Sequence, residues 1–156
     1  MRNRRLLASV AIGGALVLTT TGCSMISPQA TTIGYSAAEG TNVHGAGPVE
    51  VRNAQIVAND DGSEGNFVAA LINQTEDTHT LNIEFGEGGP SLSVRVPANT
   101  TVSLGSEEDE PLLVEDLDAL PGTDITTFFQ SGDSEGALVS VPVLDGSLSY
   151  LAPLAP

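Results

Sequence analysis

The chain has 156 residues and a formal net charge of −15, from 20 acidic residues against five basic ones. Three of the five arginines lie within the first five residues, so only Arg52 and Arg95 balance the carboxylates of the remainder. Phosphate groups repel such a surface, which argues against a nucleic-acid partner and against electrostatic attraction to anionic lipid headgroups. The length suits one domain. Because only 4% of residues are aromatic and none is tryptophan, the core must be mainly aliphatic.

The first 22 residues are typical of a secretory signal peptide. Arg2, Arg4 and Arg5 form a positively charged start, and the uncharged stretch 6–18 that follows is mostly apolar. That stretch is shorter than the about 20 residues that a membrane-spanning helix needs. We therefore predict that residues 1–22 export the chain and are then removed.

Small residues lead up to Cys23, the single cysteine of the chain. The run from Leu18 to Cys23 resembles a lipobox, in which the cysteine thiol receives a diacylglycerol and the preceding peptide bond is cut. Thr20 stands where that motif usually has leucine. Two acyl chains hold a protein stably on a bilayer. We expect a protein anchored in the cell membrane through acylated Cys23, on the extracytoplasmic face. An ordinary signal peptide followed by a free cysteine is the alternative.

Residues 23–47 are rich in Ser, Thr, Ala and Gly and show no sustained apolar period, which predicts a flexible tether. From Pro48 the pattern changes to period two, as in Leu81, Ile83 and Phe85, and this alternation predicts strands with one buried face. The stretch 67–72 is apolar on both faces, which is typical of a central strand. Strands are expected near 49–58, 66–73, 79–85, 91–96, 100–104, 124–130 and 137–144.

About seven short strands with Gly-, Pro- and Asp-rich turns indicate an all-β fold, a single immunoglobulin-like β-sandwich over residues 48–147. Between the strands, residues 111–120 predict one short helical turn or an irregular acidic loop. The tail 148–156 is Pro-rich and apolar, and it either lies along the domain or remains free.

The sequence contains no complete catalytic motif, and we expect no enzyme activity and no cofactor. Gly132, Ser134 and Gly136 fit the G-x-S-x-G pattern of a hydrolase nucleophile elbow. That motif needs a helix after the serine and a histidine later in the chain. A strand-like run follows instead, and His44 and His79 both precede the serine, so we interpret the motif as a turn.

Two sets of residues suggest metal binding. His44 and His79 with Met25 suggest copper, which is captured by several imidazoles or thioethers at one place. Carboxylates suit Ca²⁺, and they cluster at 60–64 and 107–110, with Glu115, Asp116 and Asp118 nearby. Neither cluster has the spacing of an EF-hand, and charge runs of this kind are usually solvated loops. No metal ligands are therefore assigned from the sequence.

The layout resembles the LpqE-like lipoproteins of actinobacteria. Matching segments are 47–54, the strand NFVAALIN at 66–73, the turn and strand at 96–102, and 141–144. The resemblance implies a cell-envelope lipoprotein with an immunoglobulin-like domain and supplies no catalytic residue.

The function that we expect is therefore a membrane-anchored, non-catalytic accessory or binding module of the cell envelope. It would contact membrane lipid through acylated Cys23 and dock on an envelope protein or membrane protein complex. The alternative is a lipoprotein that carries a metal ion, copper or calcium, or a small ligand.

Overall fold

The computed structural model describes residues 38–156. A helix with the length and hydrophobicity of a membrane span is not found in this range. Its regular structure is almost entirely β, with one short 3₁₀ turn at Ala152–Leu154. The strands are β1 Thr41–Val43, β2 Val49–Ala58, β3 Glu64–Asn73, β4 His79–Phe85, β5 Ser91–Val96, β6 Thr100–Leu104, β7 Leu112–Glu115, β8 Asp124–Ser131 and β9 Ala137–Leu144.

The strands form two packed sheets. The first sheet contains β1, β2, β3, β6 and β7, and the second contains β4, β5, β8 and β9 in the order β5-β4-β8-β9. A short parallel pairing joins β2 to β9 through Ile56 with Val143 and Val57 with Leu144, so the two sheets are continuous along one side. The predicted all-β sandwich is confirmed, with a barrel-like closure at this side.

The core lies between the sheets and consists of the alternate residues that face inward. Leu81, Ile83 and Phe85 of β4 are buried, as their period of two predicts. Strand β3 is buried on both faces over much of its length, and it has paired strands on both sides, which agrees with its unbroken apolar run. The other large, fully buried side chains are Phe67, Phe129, Ile56, Leu71, Val49, Val51, Val57, Val96 and Val114.

Strand β1 lies inside the range assigned to the tether by sequence. It pairs with β2 through Thr41 with Ala54 and Val43 with Val51, and Val43 is buried. A bulge in β2 at Asn53, with φ of 52°, lets the Asn53 backbone N–H donate to the Asn42 side chain at 3.0 Å. The ordered sandwich therefore begins before Pro48. Three residues are too few to show a period of two.

Strand β7 lies in residues 111–120, for which a helical turn or an irregular loop was expected. That expectation is wrong for 112–115, because β7 pairs with β3 through Leu112 with Phe67 and Val114 with Gly65. Val114 is fully buried, and Leu113 on the same strand is 45% exposed. Burial differs from residue to residue along β7, but its sequence Leu-Leu-Val-Glu does not alternate, and four residues are too few to show a period of two.

The C-terminal tail lies along the domain. Leu151 is buried in a small second cluster with Val57 and Val68, and the Asn66 side chain donates to the Leu154 carbonyl at 2.9 Å. The exposed Tyr150 hydroxyl donates to a Glu39 carboxylate oxygen at 2.7 Å. This bond lowers the pKa of Glu39 and raises the pKa of Tyr150. The tail 148–156 therefore lies along the domain, which is one of the two predicted arrangements, and is not free.

Candidate functional site

One end of the sandwich brings together the loop 44–48 and the β8–β9 connection. The Ala46 carbonyl accepts hydrogen bonds from the Ser131 backbone N–H at 2.6 Å, the Ser131 hydroxyl at 2.9 Å and the Ser134 hydroxyl at 3.0 Å. The buried Ser131 hydroxyl also accepts from the Val49 backbone N–H at 3.1 Å. Gly47 has φ of +108°, and a Cβ there would collide with the Ser131 carbonyl. These contacts hold the 44–48 loop against the second sheet.

Asn73 holds the neighbouring loops at the same end. Its side chain is 1% exposed and donates to the carbonyl oxygens of Asp77, Val96 and Pro97 at 2.8, 3.1 and 3.0 Å. Its own oxygen accepts from the backbone and hydroxyl of Thr75 at 3.0 and 2.8 Å. The end of β3, the β3–β4 loop and the β5–β6 turn are therefore fixed to one another. No sequence pattern marks Asn73 or Ser131, since each acts through contacts that exist only in the folded domain.

The structure places both predicted histidines at this end. His79 begins β4, and Leu81, two residues further on, pairs with Ser131. His44 lies two residues before Ala46, which is bonded to the same Ser131. His44 is exposed and His79 is half-buried. Met25 and Cys23 lie outside the described residues, so the copper and lipidation predictions that involve them stay predictions.

Ser134 lies in the β8–β9 connection, and β9 follows it rather than a helix. Its hydroxyl donates to the carbonyls of Ala46 and Ser131, at 3.0 and 2.9 Å. Gly132 and Gly136 have φ of 58° and 80°, which a tight turn requires. The G-x-S-x-G stretch therefore has the geometry of a turn, and its serine has a structural partner.

The acidic clusters lie on connections elsewhere in the domain. In the β2–β3 turn, an Asp61 carboxylate oxygen accepts from the Ser63 hydroxyl and backbone N–H at 2.6 and 3.0 Å, and these bonds lower the pKa of Asp61. Asp116 and Asp118 face the same turn. Among residues 38–156, no group of three or more His, Cys, Asp or Glu side chains is arranged to hold a metal ion. Calcium binding by these carboxylates stays a prediction.

No protein-family model and no curated protein sequence matches this chain. Solved structures of PCuAC domains are similar in fold. The apo PmoF2 PCuAC domain has a TM-score of 0.53 and 9% identity, over 69% of this chain and 98% of that one. The copper-bound PCuAC domain from PmoF2 has a TM-score of 0.51 and 8% identity, over 67% and 98%. At such low identity the likeness shows a shared fold alone. The resemblance to LpqE-like lipoproteins is not tested by it and stays a prediction.

Proposed function

We propose that this chain is a membrane-anchored, extracytoplasmic lipoprotein whose sandwich is a non-catalytic binding module, with copper as the cargo to be carried. The observation that supports copper is the position of His44 and His79 at one end of a fold shared with a copper-bound domain. Imidazole nitrogen is a suitable copper ligand. The described residues contain neither methionine nor cysteine, so a sulfur ligand from the mature chain would have to come from Met25 or from the acylated Cys23.

Copper should bind the acylated mature chain, residues 23–156, with one-to-one stoichiometry, and its affinity should depend on both histidines. Loss of an outer-shell partner already costs about 10–100-fold in metal affinity, so loss of a ligand should cost at least as much. Isothermal titration with Cu(II), and with Cu(I) under reducing conditions, measures this for the wild type, His44→Ala and His79→Ala. Asp61→Asn, at the opposite end of the sandwich, is the matched control and should bind as the wild type does. A double variant that combines His44→Ala with His79→Ala should not bind copper, and copper binding by this variant as tight as that of the wild type would rule out the copper proposal.

The anchor is the second part of the proposal. Cys23→Ser should move the protein from the detergent phase to the aqueous phase on Triton X-114 partitioning, because two acyl chains contribute ~0.8 kcal/mol per buried CH₂. Ser24→Ala is the control and should stay in the detergent phase. Intact-mass measurement of the wild type should show a diacylglycerol adduct. A free thiol on Cys23, or wild-type protein recovered from the medium, would contradict the anchor.

The accessory function remains a second candidate because of the charge of the domain. Across residues 38–156 one salt bridge is formed, between Arg52 and Glu50 at 2.8 Å, and both side chains are exposed. All 20 carboxylates of the chain lie after residue 38, against two arginines. Such a surface attracts cationic partners and repels anionic ones. This charge supports docking on a basic surface of an envelope protein.

A further inference from the structure

The outer face of the second sheet is mostly polar and internally bonded. Across neighbouring strands, the Ser93 hydroxyl donates to the Asn82 side chain at 2.8 Å, and the Asn82 amide donates to Gln130 at 3.3 Å. These three residues occupy the outward positions of β5, β4 and β8. Their polar groups are therefore partly satisfied within the sheet.

The next row of this face is different, because two large apolar side chains lie side by side on it. Phe128 of β8 pairs in register with Glu84 of β4 and with Leu138 of β9. Leu138 is 70% exposed. Together they line a groove of about 640 Å³, here called the outer groove, whose principal lining residues are Glu84, Glu87, Asp124, Ile125, Phe128 and Leu138.

The walls of the outer groove are held in place from behind. The ring of Phe128 lies over Gly136, where a Cβ would collide with it. Ile125 packs against the core, and a Glu84 carboxylate oxygen accepts from the Gly88 backbone N–H at 2.8 Å. Three of the lining side chains therefore have fixed neighbours, which lowers the entropic cost of filling the groove.

Charge decides the class of occupant. Glu84, Glu87 and Asp124 surround the apolar row, and no cationic side chain lines the groove. A second copy of this chain would bring its own excess of carboxylates, and an anionic lipid surface would be repelled. An occupant with one apolar side chain between cationic ones matches the groove in both polarity and charge. We infer that the outer groove docks a basic peptide segment of an envelope protein, with an apolar side chain on Phe128 and Leu138. This inference rests on the accessory candidate above.

Binding is tested with the acylated mature chain in phosphatidylcholine nanodiscs and with fluorescent peptides that carry one leucine between lysines. Fluorescence anisotropy should show that the wild type binds the peptide. Binding should be about tenfold weaker for Leu138→Ser, which removes a central apolar contact, and for Asp124→Asn, which removes an attractive charge at the edge of the groove. The controls are Leu113→Ser, an exposed leucine of the first sheet, and Glu108→Gln, a distant carboxylate. Both should bind within about twofold of the wild type. A peptide with serine in place of its leucine should bind the wild-type protein as weakly as the leucine peptide binds Leu138→Ser.

Two results would overturn the inference. One is equal weakening by Asp124→Asn and Glu108→Gln with no effect of Leu138→Ser, since the attraction would then come from net charge alone. The other is the absence of measurable binding. Purification of tagged protein from the native host distinguishes a failure of the groove inference from a failure of the accessory candidate. If a partner persists with Leu138→Ser, docking occurs on another face. If wild-type protein is recovered alone, the accessory candidate is wrong.

Discussion

Replacing Phe67 by alanine should lower the free energy of unfolding by about 3–5 kcal/mol, the usual cost of removing a fully buried phenylalanine. Phe67 belongs to β3 of the first sheet and is 0% exposed. Its ring centroid lies 5.5 Å from that of Phe85 and 6.2 Å from that of Phe129, both in the second sheet. The substitution therefore opens a cavity between the sheets and removes two aromatic contacts.

Urea unfolding of the acylated chain in nonionic detergent, followed by circular dichroism, measures the change. Phe128→Ala is the matched control, since it is the same chemical change on the same fold but on the outer face. We expect it to cost about 1 kcal/mol, the typical effect of a point mutation. Equal destabilisation by the two substitutions would show that Phe67 does not lie at the centre of the core.

Replacing Asn73 by aspartate should lower the free energy of unfolding by about 3 kcal/mol or more, although the shape of the side chain is almost unchanged. The amide group that donates to three carbonyl oxygens becomes a carboxylate oxygen facing them. A buried carboxylate cannot donate to the carbonyl oxygens that it faces, so these hydrogen bonds are lost. Burial of its charge adds a desolvation cost. Lower pH should recover part of the loss, because a protonated carboxyl group can donate one hydrogen bond.

The same unfolding experiment at two pH values tests this second prediction. Asn82→Asp is the control, since Asn82 is exposed on the outer face of β4 and its side chain bonds only to exposed groups. Asn82→Asp should change the free energy of unfolding by about 0.5 kcal/mol, as is usual for surface positions. If Asn73→Asp were no more destabilising than Asn82→Asp, the loops at this end would not depend on the Asn73 amide.

The regular strands were predictable because most of them alternate apolar and polar residues over a sufficient length, whereas β3 was recognised by its unbroken apolar run. The bounds expected for 79–85, 91–96 and 100–104 are those observed. The alternation of Leu81, Ile83 and Phe85 also identified the buried face correctly. A period of two reports locally which side chains turn inward, so strands of five or more residues can be recognised from their own composition.

Short strands and docked ends were not predictable in this way. Strands β1 and β7 have three and four residues, and their pairing with β2 and β3 stabilises them. The docking of the tail depends on Val57 and Val68 being together on the outer side of the first sheet, where Leu151 covers them. Contacts between residues far apart in the chain decide these features, and no local period records them.

The candidate sites also depend partly on features of the sequence and partly on contacts that only the fold makes. From the sequence alone came the all-β class, the excess of carboxylates and the residue types that drew attention to His44 and His79. Only the fold decided that the two histidines share one end, because the Ala46 carbonyl bonds to Ser131, 85 residues away. Only strand register placed Phe128 beside Leu138, making an apolar row on a polar face. Composition and period are local properties of a chain, whereas a site is made by residues that pairing and packing bring together.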